Sequence, residues 1–232
     1  MLTPFAPGSY RSLVVPGRPF SAGIVADQGF DLVHAVFHRP VPLHQGLESA
    51  AAHVRAAGRP VTALGAFELR IPDPLSREEF DAFNAPYAER LTGLGLVSEN
   101  GLVAARTNVA PTVAGVAEPS LHAFTYTVPG RGRPRSAFRL SGATETRRDA
   151  SEADQLRSIV EVLEGRLAEL GLSWDDATTI SVYGEASDAL WDVRESFGTT
   201  GLRGLTWFPA LPPLDDFAFE IDAQGVGTEL VL

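Results

Sequence analysis

The order of predicted strands and helices repeats on the two sides of a segment rich in glycine, proline and arginine, and this repetition most constrains the fold. The segment covers residues 129–134. Before it, short apolar runs predict strands and two amphipathic segments predict helices. After it, the same succession begins again. We therefore predict an internal duplication, with domains at residues 1–129 and 137–232 and a linker at 130–136.

The helix boundaries carry clear local signals. Ser76 and Glu79 form a capping-box pattern at the start of one helix. Gly171 follows a long amphipathic segment and is typical of a helix end. Helices are predicted at about residues 45–57, 76–91, 153–170 and 187–197. With the strands between them, they predict an α+β fold in which each half is a mixed sheet with helices on one face.

The stretch 201–223 predicts two strands around a turn at residues 212–216. Arg203 enters the first strand, and Glu220 lies in the second. If the strands pair, a guanidinium that binds carboxylates and a carboxylate that activates water share one pocket, as in a hydrolytic site. Because side chains alternate between the two faces of a strand, Glu220 lies on the face opposite Phe219 and its apolar neighbours. The alternative to a role in the site is that Glu220 faces solvent or an interface. For Arg203 the alternative is a surface salt bridge.

Composition excludes several classes of protein. The net charge of −10 argues against nucleic-acid binding. Without cysteine, the chain has no disulfide, no thiol catalysis and no zinc–thiolate site. No apolar run approaches the ~20 residues of a membrane span, and the beginning is interrupted by prolines rather than resembling a signal peptide. We expect a soluble, cytoplasmic protein that does not bind membranes.

The histidines do not predict a metal site. His34 and His38 lie in a segment predicted to be extended, where a spacing of four residues separates them by about 13 Å. Residues 137–232 contain no histidine, so a serine–histidine pair around Ser141 is excluded. No glycine-rich phosphate loop occurs. We predict no metal and no organic cofactor.

Several motifs of the second half resemble the RidA family, also called YjgF. They are Leu140-Ser141-Gly142, the helix with the following residues 171–183, Arg203, Leu211-Pro212 and the last strand 219–223. The first half is similar to the same domain in its helix Phe80-Asp-Ala-Phe-Asn-Ala-Pro-Tyr87 and in Ala105-Arg106-Thr107. The resemblance implies two tandem RidA-like (chorismate-mutase-like) domains. Related doubled proteins include aminomuconate deaminases and chorismate-hydrolysing enzymes.

The resemblance also implies roles for individual residues. Arg203 binds the substrate carboxylate, and Glu220 positions or activates water. Ser141 and Gly142 match the strand end that lines the pocket. Arg106 is a second anchor, but residues 123–127 lack the acid of the family's strand.

Three further residues bear on the pocket. Glu118 or the other half of the chain would have to supply the carboxylate that a site around Arg106 needs. Tyr10 is the candidate for the family's pocket tyrosine. Trp207 is a candidate lining residue for an unsaturated substrate, with core or interface packing as the alternative.

The family's chemistry implies a hydrolase. The expected reaction is metal-independent hydrolytic deamination of an enamine or imine that carries a carboxylate, such as a 2-aminomuconate-like or 2-aminoacrylate-like compound. Two alternatives stay open: a chorismatase-like hydrolase or lyase acting on a cyclic carboxylic acid, and a non-catalytic protein that binds small acids. The resemblance also implies a homotrimer with pockets between neighbouring domains or chains.

Overall fold

A computed structural model of the chain describes residues 1–15, 19–130, 136–147, 149–198 and 204–232. Arg203, predicted to bind the substrate carboxylate, lies outside the described residues, as does most of the predicted linker.

Four α-helices lie in the described ranges. They are α1 (Leu43–Ala56), α2 (Arg77–Gly93), α3 (Glu152–Leu170) and α4 (Ala189–Val193). The predicted capping box of α2 is confirmed, because the Glu79 N–H donates to Ser76 Oγ at 3.3 Å and the Ser76 N–H donates to the Glu79 carboxylate at 2.9 Å. Gly171 ends α3 in the left-handed region, with φ 74°. The predicted helix at 187–197 is divided into α4 and a 3-10 turn, Arg194–Phe197.

The strands are short except for two long strands of the first half. In chain order they are β1 (Leu2–Phe5), β2 (Tyr10–Leu13), β3 (Gly23–Ala26), β4 (Phe30–Pro42), β5 (Leu64–Arg70), β6 (Val97–Ser98), β7 (Gly101–Leu102), β8 (Ala105–Pro111), β9 (Ser120–Pro129), β10 (Phe138–Leu140), β11 (Ala143–Thr144), β12 (Thr179–Gly184), β13 (Leu205–Leu211), β14 (Glu220–Gly225) and β15 (Thr228–Val231). None of the helices in these described ranges is both long and apolar enough to cross a membrane.

One large mixed sheet contains thirteen strands. Its order is β1-β2-β3-β10-β14-β12-β13-β8-β5-β9-β4-β15, and β11 pairs with β14. The pairs β12–β13, β5–β8 and β4–β15 are parallel. The α+β class with a mixed sheet is therefore confirmed.

Strands near both ends of the chain pair with strands of the other half. β3 of the first half pairs with β10 of the second, and β15 at the end of the chain pairs with β4. The middle of the sheet joins the halves again through β13 and β8. The division into domains at 1–129 and 137–232 stays a prediction, and each predicted domain shares sheet hydrogen bonds with the other.

The two strands around residues 212–216 do not pair with each other, so the condition for a pocket shared by Arg203 and Glu220 is not met. β12 lies between β13 and β14, with Val182 opposite Trp207 on one side and opposite Ile221 on the other. The connection is thus not a hairpin, because the strand after it passes to the far side of β12. A shared pocket for Arg203 and Glu220 cannot be derived from direct strand pairing.

The predicted alternation of β14 is confirmed, and both of its faces are buried. Ile221 and Ala223 pack in the hydrophobic core under α3, together with Phe219 just before the strand. Glu220 and Asp222 point to the opposite face, where they are 3% and 0% exposed. The solvent-facing alternative for Glu220 is therefore wrong, because residues of β8 in the first half cover that face.

Candidate active site

A cavity of about 420 Å³ lies where elements of the two halves meet. Its walls come from the segment before β3, from α2, from β8, from the turn after β10 and from the start of β14. Among the residues that line it are Phe20, Ser21, Arg77, Phe80, Asn84, Arg106, Asn108, Ser141, Gly142, Thr144, Phe217 and Glu220. Arg106 of the first half thus shares one cavity with Glu220 of the second, so the other half supplies the acid.

Aromatic rings and one amide hold the Arg106 guanidinium. Its Cζ lies 4.1 Å from the centroid of the Phe20 ring, 5.2 Å from that of Tyr87 and 5.4 Å from that of Phe80. Nη1 donates to Asn84 Oδ1 at 2.7 Å, the one hydrogen bond of this guanidinium to a described residue. Burial lowers the pKa of Arg106, while Tyr87 and Glu220 raise it. A guanidinium stays charged under these conditions and retains donors for an anion.

The turn after β10 fixes the backbone of Arg106. The Arg106 N–H donates to Ser141 Oγ at 3.0 Å, and the Gly142 N–H donates to the Arg106 carbonyl at 3.3 Å. The Ser141 hydroxyl donates in turn to the Ser21 carbonyl at 2.5 Å. Ser141 and Gly142 both line the cavity, and the Ser141 hydroxyl is occupied in orienting the backbone of Arg106.

Glu220 lies against Gly142 at the inner end of the cavity. A Cβ at position 142 would overlap the Glu220 carboxylate, so only glycine leaves it room. Burial raises the pKa of Glu220 to about 8, and the charge of Asp222 adds to the rise. The Asn108 backbone N–H, which donates to this carboxylate, and the charges of Arg106 and Arg70 oppose it. Glu220 therefore holds a proton at neutral pH.

A buried network of charges lies behind Glu220. Asp222 Oδ2 accepts from Arg139 at 2.6 Å, from Thr107 at 2.7 Å and from Tyr183 at 3.2 Å. Arg139 also lies 3.0 Å from Glu68. Burial raises the pKa of Glu68, but Arg139, His34 and Arg70 outweigh it and hold that pKa below its ordinary value. Burial raises the pKa of Asp222, and the charge of Arg139 and the hydrogen bond from Thr107 oppose this rise. Asp222 in turn adds to the raised pKa of the neighbouring Glu220.

Asn108 differs from the other polar residues of the cavity. It is 3% exposed, and neither the nitrogen nor the oxygen of its carboxamide has a hydrogen-bond partner among the described residues. Buried amides are usually paired. Asn108 therefore combines a free donor and a free acceptor with a position next to Glu220.

Two predicted pocket residues lie elsewhere. Tyr10 is buried in the first-half core, where its hydroxyl donates to the Leu64 carbonyl at 3.0 Å, and it does not line the cavity. Trp207 lies on β13 in a separate depression beside Trp191, and its Nε1 donates to the Gly184 carbonyl. Both side chains fail to reach Glu220 because their strands direct them to other surfaces. Glu118 is exposed and does not line the cavity either.

Four residues that line the cavity have no role predicted from the sequence: Asn84, Phe80, Phe20 and Asn108. For Asn84 and Phe80 a signal existed, since both belong to the helix motif that resembles the RidA family. For Asn108 no signal existed, because its lack of partners appears only in the folded structure.

Comparison with known proteins identifies the family. The model of the family described as 2-aminomuconate deaminase CnbZ matches residues 2–230. The chain belongs to this family. A 2-amino-5-chloromuconate deaminase of Comamonas testosteroni is 33% identical over 251 aligned positions, which cover 98% of each protein.

The fold of this CnbZ-family chain is also similar to a solved structure. A chorismatase crystal structure superposes with a TM-score of 0.53 at 13% identity, covering 89% of this chain and 77% of the chorismatase. At this identity the likeness shows a shared fold alone. The CnbZ match thus supports a deaminase, and the sequence-based resemblance to aminomuconate deaminases is confirmed.

Proposed function

We propose that the protein is a hydrolytic deaminase that converts the enamine or imine form of a 2-aminomuconate-like acid to the 2-oxo acid and ammonia. The presence of Arg106 and Glu220 in one cavity carries this proposal. The CnbZ family and the 33% identical deaminase support the substrate class. A 2-aminoacrylate-like acid is the smaller member of the same chemical class.

Arg106 binds the carboxylate next to the reacting carbon. Its guanidinium is held by Asn84 and by three aromatic rings, so it is oriented before the substrate arrives. A fixed, partly desolvated guanidinium binds a carboxylate through parallel hydrogen bonds and loses little entropy in doing so. The aromatic rings also offer apolar surface to the conjugated carbon chain of the substrate.

Glu220 moves the protons. Its raised pKa of about 8 keeps it protonated at neutral pH, so it can give its proton to the enamine carbon and form the iminium ion. The resulting carboxylate then takes a proton from the water that attacks the iminium carbon. Glu220 passes this proton to the nitrogen of the carbinolamine, ammonia leaves as the C=O bond forms, and the carbinolamine hydroxyl returns its proton to Glu220. Enamine and water become oxo acid and ammonia, and no step calls for a metal or an organic cofactor.

A muconate-type substrate has a second carboxylate at the far end of its chain. Arg77 lines the same cavity from the first turn of α2 and is a candidate partner for it. Arg203, expected from sequence to bind a carboxylate, is the other candidate. Both belong to the proposal and are tested with Arg106.

The decisive experiment measures ammonia release from 2-aminomuconate and from 2-aminoacrylate generated in situ. The wild type, Arg106→Gln, Arg203→Ala and Arg77→Ala are compared, with circular dichroism confirming their folds. Arg106→Gln should lower kcat/KM by at least about a hundredfold, because the reacting carbon loses its anchor. Arg77→Ala should raise KM for the dicarboxylate and leave 2-aminoacrylate unaffected.

Two outcomes contradict the proposal. If the wild type binds these acids but releases no ammonia, the alternative of a non-catalytic protein that binds small acids is supported instead. Full activity in Arg106→Gln together with loss in Arg203→Ala would place the essential anchor at the position expected from sequence instead.

Assembly is a further part of the proposal. The chain contains two tandem RidA-like domains and forms a homotrimer, as the resemblance of its motifs implies. Light scattering should then give three times the 24.8 kDa of one chain. A monomer that releases ammonia would reject the trimer and leave the reaction in place.

A further inference from the structure

The carboxamide of Asn108 is a buried polar group that the proposed mechanism does not use. Asn108 lies on β8, two residues after Arg106, and lines the same cavity. Its backbone N–H donates to the Glu220 carboxylate, which places this residue beside the proton-transfer group. The side chain is 3% exposed and has no partner within the described part of the chain.

A buried amide without a hydrogen-bond partner destabilises a folded protein. Replacing it with an apolar group of similar shape removes that cost. Asn84, in contrast, already accepts a hydrogen bond from Arg106. The hydrogen-bonding capacity of Asn108 is therefore available to a ligand in the cavity.

We infer that Asn108 recognises the nitrogen-bearing carbon of the substrate, with Oδ1 accepting a hydrogen bond from the substrate N–H. The amide Nδ2 then donates to the oxygen that water brings to the same carbon. The carbinolamine carries both a nitrogen and an oxygen on that carbon, and a carboxamide offers the matching acceptor and donor. This inference rests on the proposed function and makes Asn108 the residue that distinguishes an amino acid substrate from its oxygen analogue.

The test uses two stable ring acids of the same shape. Pyrrole-2-carboxylate carries a conjugated N–H next to the carbon that bears the carboxylate, as the enamine does, and it does not hydrolyse. Furan-2-carboxylate has an oxygen in place of this N–H. Calorimetry measures the dissociation constants of both for the wild type, for Asn108→Leu and for Asn100→Leu, which changes an exposed asparagine outside the cavity.

The wild type and Asn100→Leu should prefer the pyrrole acid by about tenfold or more, the effect of one hydrogen bond to a buried group. Asn108→Leu should bind the two acids equally, bind the furan acid no more weakly than the wild type does, and lower kcat/KM for 2-aminomuconate. Its melting temperature should not fall, because the Asn108 side chain makes no hydrogen bond to a described residue.

Three results would overturn the inference. They are an unchanged preference in Asn108→Leu, a lower melting temperature that reveals a structural role, and a wild type that binds neither acid at millimolar concentration. The proposed function is judged separately by ammonia release. If the wild type releases ammonia but does not prefer the pyrrole acid, only the proposed role of Asn108 is refuted. If it prefers the pyrrole acid but releases no ammonia, only the deaminase function is refuted.

Discussion

At the scale of single residues, Glu220 combines burial with a neighbouring carboxylate, Asp222. Asp222 lies two positions along the same strand and shares its face, and Arg139 donates a hydrogen bond to it at 2.6 Å. The pKa of Glu220 is raised by burial first and by Asp222 second. The same carboxylate at a solvent-exposed position would be ionised at neutral pH and could not donate a proton to carbon.

Activity should therefore depend on the protonated form of Glu220. We expect kcat/KM to fall about tenfold per pH unit above the pKa of about 8. Glu220→Gln cannot transfer a proton, so it should lower kcat by about 10²–10⁴-fold. The measurement is ammonia release across this pH range. A rate that keeps rising above the pKa would show that the ionised form is the active one.

The same group links stability to pH. The folded chain keeps the proton of Glu220 up to about 8, whereas a free carboxyl releases it near 4.5. Between pH 4.5 and about 8 the unfolded state binds fewer protons than the folded state. The stability that the raised pKa contributes is therefore fully present below pH 4.5 and is lost as the pH rises through about 8. Relative to Glu220→Gln, the wild type should lose up to about 1.4 kcal/mol per pH unit in that window. Urea unfolding of both proteins measures it, and parallel curves would disprove the raised pKa.

A substitution at Gly142 tests the position of the Glu220 carboxylate. A methyl group at 142 would occupy the space of the Glu220 side chain, so Gly142→Ala should reduce kcat/KM by about a hundredfold. Gly165→Ala is the matched control, because a Cβ there meets nothing within 4 Å inside α3. The control should keep full activity and gain about 0.5–1 kcal/mol of stability. Equal activity of the two variants would show that Glu220 is not held at Gly142.

At the scale of secondary-structure elements, the sequence predicts local structure better than pairing. The ends of α2 and α3 follow from Ser76, Glu79 and Gly171, because caps act within one turn. The insertion of β12 between β13 and β14 depends on contacts between residues far apart in sequence. Short-range patterns carry no information about such contacts, and for this reason the sequence could not decide whether the strands around residues 212–216 pair.

α2 brings Phe80, Asn84 and Tyr87 to Arg106, so its first turn affects both stability and the site. Ser76→Ala removes the cap and should cost about 1 kcal/mol in the free energy of unfolding. Ser151→Ala, at the start of α3, should cost a similar amount. Only Ser76→Ala should raise KM, because α3 contributes no residue to the cavity lining. A raised KM in both variants would indicate a general loss of stability rather than a local effect on α2.

At the scale of the whole molecule, the site exists because the halves are interleaved. Arg106 and Asn108 come from β8 of the first half, whereas Ser141, Gly142 and Glu220 come from the second. The sequence motifs identified most of these residues one by one. Their meeting in one cavity could not be predicted, because it results from the order of strands across the sheet.

The interleaving predicts that neither half folds alone. β1–β3 belong to the first half in sequence, yet Leu13, Ala22 and Val25 are buried in the core beneath α3. A fragment of residues 137–232 would expose that core and leave β15 without β4. We expect the fragments 1–129 and 137–232 to show no cooperative unfolding by circular dichroism when each is prepared separately.

When the two fragments are produced together, they should form the native fold by association, without a covalent bond between them. A chain cut between residues 130 and 136 loses no sheet hydrogen bond of the described strands, so co-expressed fragments should associate, unfold cooperatively and release ammonia. This pair is the control for the separate fragments. Cooperative unfolding of residues 137–232 alone would instead establish an independent domain, and β1–β3 would then be an addition to a core that is already complete.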